Sequence, residues 1–416
     1  MADRMGKESM TRGEQLSILP ETHHEDRPIE VPVGKLMIAP LKGCEPLARQ
    51  ISDWIYQFRE EEEHEMPVDS PEFDGYMRKD YILEMGLPRF GTGEGKCVIQ
   101  KSVRGCDVFI LCDMFNHGVT MDYFYGEKNA RVMSPDEHYA DLKRVIAAIT
   151  GKARRVNVIM PMLYEGRQHR RTTRESLDCA LVLKELCDLM GVDNIITFDA
   201  HDPRVQNAIP LNSFEDFKTA HQMIKAVTRD FPDIKIDPDH LMIISPDEGG
   251  MGRCIFYATV LGVELSTFYK ERDYTTVVNG RNPVKAHMFL GGDIRGRDVF
   301  IVDDMISSGG SMLDTAAELK KRGAGRIFIL SAFGLFTDGL GAFDEEYAKG
   351  TFSGVFTTNL IYRTPELLER EWYHEVDLSK YIALIVNNLN KDQSVSPLID
   401  PSDRIDKYLR KHGYRS

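Results

Sequence analysis

Short apolar runs of strand length alternate along the chain with segments of helical period. The alternation begins near Leu36, and turn residues separate the runs. It predicts an α/β fold with mainly parallel sheets covered on both faces, because a crossover between parallel strands is usually a helix. The predicted strands are Val108–Leu111, Val156–Met160, Ile195–Phe198, Leu241–Ile244, Val299–Val302, Ile327–Leu330 and Val355–Thr358.

Two helices carry terminal signals in addition to their period. Thr172 and Glu175 have the spacing of a capping box, and apolar residues then recur at helical spacing as far as Gly191, where a C-terminal glycine belongs. A second helix is predicted from about Ser311 to Arg322, with basic residues in its last turn and a glycine after it.

A ten-residue pattern, Arg-Gly-x-Asp-Val-Phe-Ile-x-x-Asp, occurs twice, starting at Arg104 and at Arg295. The next predicted strands also begin alike, at Arg155 and Arg326. The repeat predicts two α/β domains related by internal duplication, with about twenty extra residues within 113–135 of the first copy. A chance match of two short strands is the alternative.

The patterns suggest four parts of the chain. Residues 1–34 form a polar leader, 35–210 the N-terminal domain and 211–390 the C-terminal domain. Residues 391–416 form a tail whose first part could pack back on the N-terminal domain.

Composition and charge exclude several classes of protein. Hydrophobic residues make up 42% of the 416, yet no apolar run approaches the roughly 20 residues needed to span a bilayer. The net charge of −13 argues against nonspecific binding to nucleic acid or anionic membranes. Seven cysteines without a C-x-x-C pair, and a start without a signal peptide, predict a reduced cytoplasmic chain. Any bound phosphate must therefore be held by local groups.

The strongest chemical motif begins at the predicted strand Val299–Val302. Two acids, Asp303 and Asp304, come next, before a small-residue turn and a helix start. Glycines allow close backbone approach, a helix N terminus and hydroxyls can take a phosphate, and carboxylates can accept hydrogen bonds from ribose. The motif predicts a sugar-phosphate site; the alternative is an ordinary turn in which Asp304 caps the helix. The turn residues are Ser307, Ser308, Gly309, Gly310 and Ser311.

Two further motifs place acids beside strand ends. Asp199 and His201 follow one predicted strand. Open α/β sheets bind ligands at this end of their strands. His201 could therefore coordinate a metal, or it could be structural. Asp247, in Ser-Pro-Asp-x-Gly-Gly, could hold a cation or a sugar hydroxyl, or cap a helix.

Two basic segments complete the candidate set. The stretch 167–174 is dense in arginine and is either an anion site or a solvated charged face. Lys270 and Arg272 begin a polar segment that reaches Pro283 without a regular pattern, as expected for a mobile catalytic loop or a plain surface loop.

Together these motifs resemble the ribose-phosphate pyrophosphokinase family, over most of the stretch from Leu36 to Asp400. The matching pieces stand in the family's order. They are Arg89-Phe-Gly-Thr-Gly-Glu94 with Ser102-Val-Arg-Gly105, Arg167-Gln168, Asp199-x-His201 with Gln206, Ser245-Pro-Asp-x-Gly-Gly250, Lys270-Glu-Arg272, Asp303 to Ser311, and Ser394-Val-Ser396.

The resemblance implies two tandem phosphoribosyltransferase-like, Rossmann-like domains. It also implies transfer of the diphosphoryl group of ATP to C1 of ribose 5-phosphate, giving 5-phosphoribosyl 1-diphosphate and AMP. The family pattern is a hexamer built from dimers. ATP, ribose 5-phosphate and Mg²⁺ are the implied ligands, with no nucleic acid and no membrane.

The resemblance also implies a role for each candidate residue. Lys270 and Arg272 would be the catalytic pair. ATP would be bound by Arg167, Gln168 and His201, and by Phe90 and Glu94 from a neighbouring subunit. Ribose 5-phosphate would be bound by Asp247, Asp303, Asp304 and the turn Ser307, Ser308, Gly309, Gly310 and Ser311. His201 and Asp247 would contact Mg²⁺.

Several positions depart from the family pattern. Thr92 stands where Asp or Asn is usual, and Ser307 replaces an Asp beside the sugar, which puts sugar affinity or metal dependence in question. The leader, segments near 60–84 and 116–131, and the tail have no family counterpart. A phosphoribosyltransferase and a non-catalytic regulatory paralogue are the alternative functions.

Overall fold

The computed structural model describes residues 31–62, 73–121, 130–272 and 284–415. The predicted leader, up to residue 30, and residues 273–283 of the predicted catalytic loop lie outside these ranges, as do parts of the two insertions. The strands are β1 (Lys35–Pro40), β2 (Met85–Gly86), β3 (Val98–Ile99), β4 (Cys106–Leu111), β5 (Thr120–Met121), β6 (Arg131–Val132), β7 (Arg155–Ile159), β8 (Asn194–Phe198), β9 (Ser213–Phe217), β10 (Leu241–Ser245), β11 (Glu264–Arg272), β12 (Val284–Leu290), β13 (Asp298–Ile306), β14 (Ile327–Gly334), β15 (Gly354–Thr358) and β16 (Tyr373–Val376).

The helices cover both faces of the sheets. They are α1 (Glu45–Glu62), α2 (Pro135–Ile149), α3 (Asp178–Lys184), α4 (Ala220–Asp230), α5 (Met251–Leu261), α6 (Gly310–Lys321), α7 (Gly341–Ala348), α8 (Pro365–Leu368), α9 (Ser379–Asn390), α10 (Ser396–Ile399) and α11 (Ser402–Lys411). A π-helical turn (Glu185–Leu189) continues α3, and a 3₁₀ turn (Pro203–Ala208) precedes β9. Among the described helices, none is both long and apolar enough to cross a membrane.

The strands form two large sheets. In the N-terminal sheet the order is β1-β4-β7-β8-β9, and all neighbours are parallel. In the C-terminal sheet the order is β12-β11-β10-β13-β14-β15-β16, and only β11 and β12 are antiparallel. All seven predicted strands are confirmed, because strands buried on both faces appear in a sequence as continuous apolar runs. The α/β class with mainly parallel sheets is confirmed.

The two predicted helices have different outcomes. The second is confirmed as α6, whereas the first begins at Asp178, and not just after Thr172 as predicted. The side chain of Glu175 accepts hydrogen bonds from both the backbone N–H and the hydroxyl of Thr172, at 2.6 and 2.8 Å. The hydroxyl therefore donates to Glu175 and does not cap a helix. Gly191 has a φ of 72°, as a C-terminal glycine should.

The internal repeat has a structural counterpart. Arg155 pairs with Asp107 across β7 and β4, and Arg326 pairs with Asp298 across β14 and β13, each at 2.7 Å. The two copies therefore use the same arginine–carboxylate pair at the amino ends of equivalent strands.

Helices from distant parts of the chain join the two sheets into one body. β9 is the last strand of the N-terminal sheet, yet α4 already packs on β15 and β16 of the C-terminal sheet. Later, α9 packs against α1 on the N-terminal side, where the buried Arg59 donates to the side chains of Asn387 and Asn390. One apolar core consequently extends across both sheets.

Removing the first of the repeated carboxylates should cost more stability than removing the second. Asp107 is fully buried and accepts from Arg155, Asn157 and Asn390. Asp107→Ala should therefore cost about 3–5 kcal/mol, the usual penalty for breaking a buried pair. Arg326 is 31% exposed and keeps Asp233 as a partner, so Asp298→Ala should cost about 1 kcal/mol. Urea titration of both variants checks the order, and equal losses would contradict it.

Candidate functional site

The carboxyl ends of strands from both sheets meet at one cavity of about 390 Å³. Open α/β sheets bind ligands at this edge. Three of the predicted ATP residues line the cavity together with one of the predicted sugar acids. Its main polar groups are Asp136, Glu165, Arg167, Gln168, His201 and Asp304. The structure thus brings three predicted ATP residues and one predicted sugar residue to the same cavity.

A histidine–carboxylate contact crosses the cavity from one sheet to the other. His201 Nδ1 lies 2.8 Å from Asp304 Oδ2, and this hydrogen bond raises the pKa of the histidine. His201 is aimed by a strained turn after β8, in which Asp199 has a φ of 41°. The Asp199 carboxylate accepts from the backbone N–H and the hydroxyl of Thr219, which holds the turn in place.

The acid doublet lies inside β13, which continues to Ile306, and not past the strand end as predicted. The alternative in which Asp304 caps the following helix is wrong, since the N-cap is Gly309. Burial and the neighbouring Asp304 raise the pKa of Asp303. Although burial opposes it, the hydrogen bond from His201 and the charge of Arg253 lower the pKa of Asp304. The two carboxyl groups of the doublet therefore have pKa values shifted in opposite directions.

The predicted phosphate-binding turn is held by backbone contacts. The carbonyl of Ser307 accepts from Thr337 N–H at 2.9 Å. Gly309 has a φ of 89°, and a Cβ there would lie 2.3 Å from the ring of Phe343. Only glycine fits both the conformation and the space. The first turn of α6 begins directly after this residue without a side-chain cap, as suits an anion site.

Asp247 makes local hydrogen bonds. Its Oδ1 accepts from Gly249 N–H at 2.9 Å and from Gly250 N–H at 3.3 Å, just before α5. It is also close enough to Asp303 for its charge to contribute to the raised pKa of Asp303. The N-cap of α5 is Gly250 and no side chain caps this helix, so the helix-capping alternative is wrong. The role of Asp247 toward sugar or metal stays a prediction.

Eleven of the fifteen predicted site residues are not among those lining the cavity: Asp247, Asp303, the turn 307–311, and four residues from other parts of the chain. Phe90 and Glu94 form a tight turn in which Phe90 N–H donates to the carbonyl of Glu94, and Phe90 is 52% exposed. Lys270 and Arg272 belong to β11, so the prediction of an irregular segment is wrong up to Arg272. Pairing with β12 explains the extended backbone, because Lys270 lies opposite His287.

The sequence reasoning missed several groups at this edge. Arg253 lies beside the doublet, and His169 lies against His201 with ring centroids 5.4 Å apart. Asp136 and Glu165 add carboxylates to the cavity wall. The only local signal for Arg253 was its place just after the Gly-Gly turn, since its partners are about fifty residues away.

No group of three or more His, Cys, Asp or Glu side chains within the described ranges is arranged to hold a metal ion. The predicted ligands His201 and Asp247 therefore do not belong to an all-protein cage. Mg²⁺ is commonly bound by one or two carboxylates together with substrate phosphates. The carboxylate of Asp247 is a donor of this kind.

Comparisons with known proteins agree with this geometry. Residues 36–189 match the model of the N-terminal domain of ribose phosphate pyrophosphokinase, and residues 215–351 match that of the phosphoribosyl transferase domain. Ribose-phosphate pyrophosphokinases of Pasteurella multocida and Staphylococcus saprophyticus are 26% and 25% identical. The alignments cover 79% and 88% of this chain, and 96% and 97% of those proteins.

A solved structure shows the same fold. The phosphoribosylpyrophosphate synthetase of Mycobacterium smegmatis superimposes with a TM-score of 0.66 at 20% sequence identity. The superposition covers 86% of this chain and 99% of that one. The predicted architecture of two tandem phosphoribosyltransferase-like domains is confirmed.

Two neighbouring glycines in the turn should respond differently to alanine. Gly309→Ala should destabilise the protein by at least about 1–2 kcal/mol because of its positive φ, in addition to the clash with Phe343. At Gly310 the nearest atom to an added Cβ is 4.0 Å away, so Gly310→Ala should change stability by less than about 0.5 kcal/mol. Thermal melting of both variants tests this, and a Gly309→Ala variant as stable as Gly310→Ala would refute it.

Proposed function

The chain belongs to the ribose phosphate pyrophosphokinase family, and on this basis we propose that it is a ribose-phosphate diphosphokinase. It transfers the diphosphoryl group of ATP to the C1 hydroxyl of ribose 5-phosphate, which gives 5-phosphoribosyl 1-diphosphate and AMP. The observation that carries the proposal is the cavity in which Arg167, Gln168 and His201 lie together with Asp304. A diphosphoryl transfer needs both substrates in one such crevice.

The reaction requires alignment and charge stabilisation but no protein nucleophile. Attack of the sugar hydroxyl on the β-phosphorus spreads negative charge over the transferring oxygens. Arg167, Gln168 and His201 would hold the triphosphate. Asp303 and Asp304 would face the ribose hydroxyls, and the turn 307–311 would hold the 5-phosphate at the start of α6. Lys270 and Arg272 would supply cations that stabilise the transition state.

Magnesium is the proposed metal. When bound with ATP, it would neutralise the oxygens of the triphosphate. Support comes from the carboxylates gathered at this edge, where Asp247 lies close enough to Asp303 for its charge to act on that residue. Asp247 and His201 are the proposed contacts.

We also propose a cytoplasmic homo-oligomer. All seven cysteines are unpaired, as expected in a reducing compartment. Phe90 is half exposed on its turn, which suits a contact with the adenine held by a neighbouring subunit. The hexamer built from dimers remains a proposal from the family pattern.

The purified chain, incubated with Mg²⁺, ATP and ribose 5-phosphate, should release AMP that chromatography can quantify. AMP should appear only when ribose 5-phosphate is present. Lys270→Ala should lower the rate by about 10³-fold or more, because a cation that stabilises a phosphoryl transition state contributes on this scale.

Three outcomes would contradict the proposal. If the wild type released AMP no faster than Lys270→Ala, the AMP could not be attributed to catalysis at the proposed site. Diphosphate release that depends on an added base would indicate a phosphoribosyltransferase. Turnover only after mixing with an active synthetase would indicate a regulatory paralogue.

Restoring the family's carboxylate should improve sugar binding. Ser307→Asp should tighten ribose 5-phosphate binding by about tenfold, since a hydrogen bond to a charged acceptor contributes about 1.5–3 kcal/mol. Ser308→Asp is the matched control, because it adds the same charge one residue away and should give no gain. Calorimetry measures both, and unchanged or weaker binding by Ser307→Asp would disprove this account of the position.

A further inference from the structure

Arg253 lies beside the acid doublet but has no part in the function proposed above. It is the third residue of α5, in the first turn after Gly250. Its Nη1 lies 3.5 Å from Asp303 Oδ1 and 3.7 Å from Asp304 Oδ1, and its side chain is 15% exposed. One largely buried guanidinium therefore faces both carboxylates.

The contacts around the doublet hold three of its four carboxylate oxygens. Asp304 Oδ2 binds His201, and Asp304 Oδ1 faces Arg253. Asp303 Oδ1 accepts from the backbone N–H of Asp304 at 2.9 Å and also faces Arg253. Asp303 is also the more exposed of the two, at 20% against 5%.

The orientation of Asp303 depends on a cation at this position. Two adjacent carboxylates repel each other, and the charge of Asp247 adds to the repulsion. Arg253 offsets it: although burial disfavours its charge, Asp304, Asp199 and Asp303 raise its pKa. Without the guanidinium, Asp303 Oδ1 would keep only the backbone N–H of Asp304, and the repulsion between the two carboxylates would turn the Asp303 side chain away from Asp304.

The glycine before α5 permits this arrangement. A Cβ on Gly250 would lie 3.1 Å from Ser245 Oγ and 3.6 Å from Asp303 Oδ1. Because α5 begins so close to the doublet, a residue in its first turn can reach both acids. The guanidinium presents several donors in one plane, so it suits two carboxylates better than an ammonium does.

We propose that Arg253 is a positioning residue for ribose 5-phosphate. It fixes Asp303 so that Oδ2 points at the sugar hydroxyls, and it acts through Asp303 without touching the substrate. This inference rests on the function proposed above.

The test compares Arg253→Met, Arg253→Lys and a control, Arg326→Met. Arg326 also pairs with an aspartate of β13, Asp298, but this residue lies at the amino end of the strand, away from the doublet. Arg253→Met should weaken ribose 5-phosphate binding, measured by calorimetry and as KM, by about 10- to 100-fold, as small misplacements of substrate-positioning groups do. The KM for ATP should change by less than about threefold, and Arg253→Lys should recover part of the loss. Arg326→Met should leave both KM values unchanged.

A double-mutant cycle separates positioning from direct contact. If Arg253 acts through Asp303, Arg253→Met should add less than about twofold to the loss caused by Asp303→Asn. Additive losses, an equal rise in the KM for ATP, or unchanged sugar affinity in Arg253→Met would each overturn the inference. Thermal melting identifies a misfolded variant, in which case Arg253→Lys decides by the same criteria. A wild type that releases no AMP would instead defeat the proposed function itself.

Discussion

The contact between His201 and Asp304 is the constraint on which the site depends. It joins the turn after β8 of the N-terminal sheet to β13 of the C-terminal sheet at 2.8 Å, so the fold fixes the distance between the proposed nucleotide side and the proposed sugar side. A transfer between two bound substrates gains most from such pre-set geometry, because effective molarities fall when reacting groups are misaligned. The strained φ of Asp199 is consistent with this role, since backbone strain persists where surrounding contacts enforce it.

The two copies of the repeat use their equivalent acids differently. The repeat places Asp113 at the position equivalent to Asp304, but Asp113 accepts hydrogen bonds from the backbone N–H groups of Phe115 and Tyr362. Burial raises its pKa to about 6. The first copy of the acid thus ties the N-terminal half to the C-terminal half, whereas the second copy faces the cavity. The same position of the repeat has a structural role just past the end of β4 in one copy, and faces the cavity from inside β13 in the other.

Sequence reasoning predicted the central strands and α6 because their signals are local. Buried runs such as β10 and β14 are apolar throughout, and the glycine turn before α6 has few other conformations. The sequence-based prediction ended β13 too early, because aspartate is unfavourable in strands. The doublet is stabilised inside the strand by contacts with the distant residues Arg253 and His201.

The other failures have one local cause and two long-range causes. The helix after Thr172 started late because Glu175 satisfied the threonine locally, a competition that spacing cannot reveal. The strand at Lys270 depends on its pairing with β12, which lies beyond a segment outside the described ranges. Arg253 was missed because its partners follow about fifty residues later. Long-range pairing decides the cases of Lys270 and Arg253, and a single sequence does not contain it in readable form.

The packing of α9 on α1 has a consequence for synthesis on the ribosome. The side of α1 that packs on α9, where Trp54 hydrogen-bonds to Ser379 and Arg59 to Asn387, meets its partner only after roughly 300 further residues have been added. At about 5–20 residues per second this takes on the order of 15–60 s. During that interval the nascent N-terminal half exposes a hydrophobic surface, so chaperone engagement is expected to be a regular step in its biogenesis.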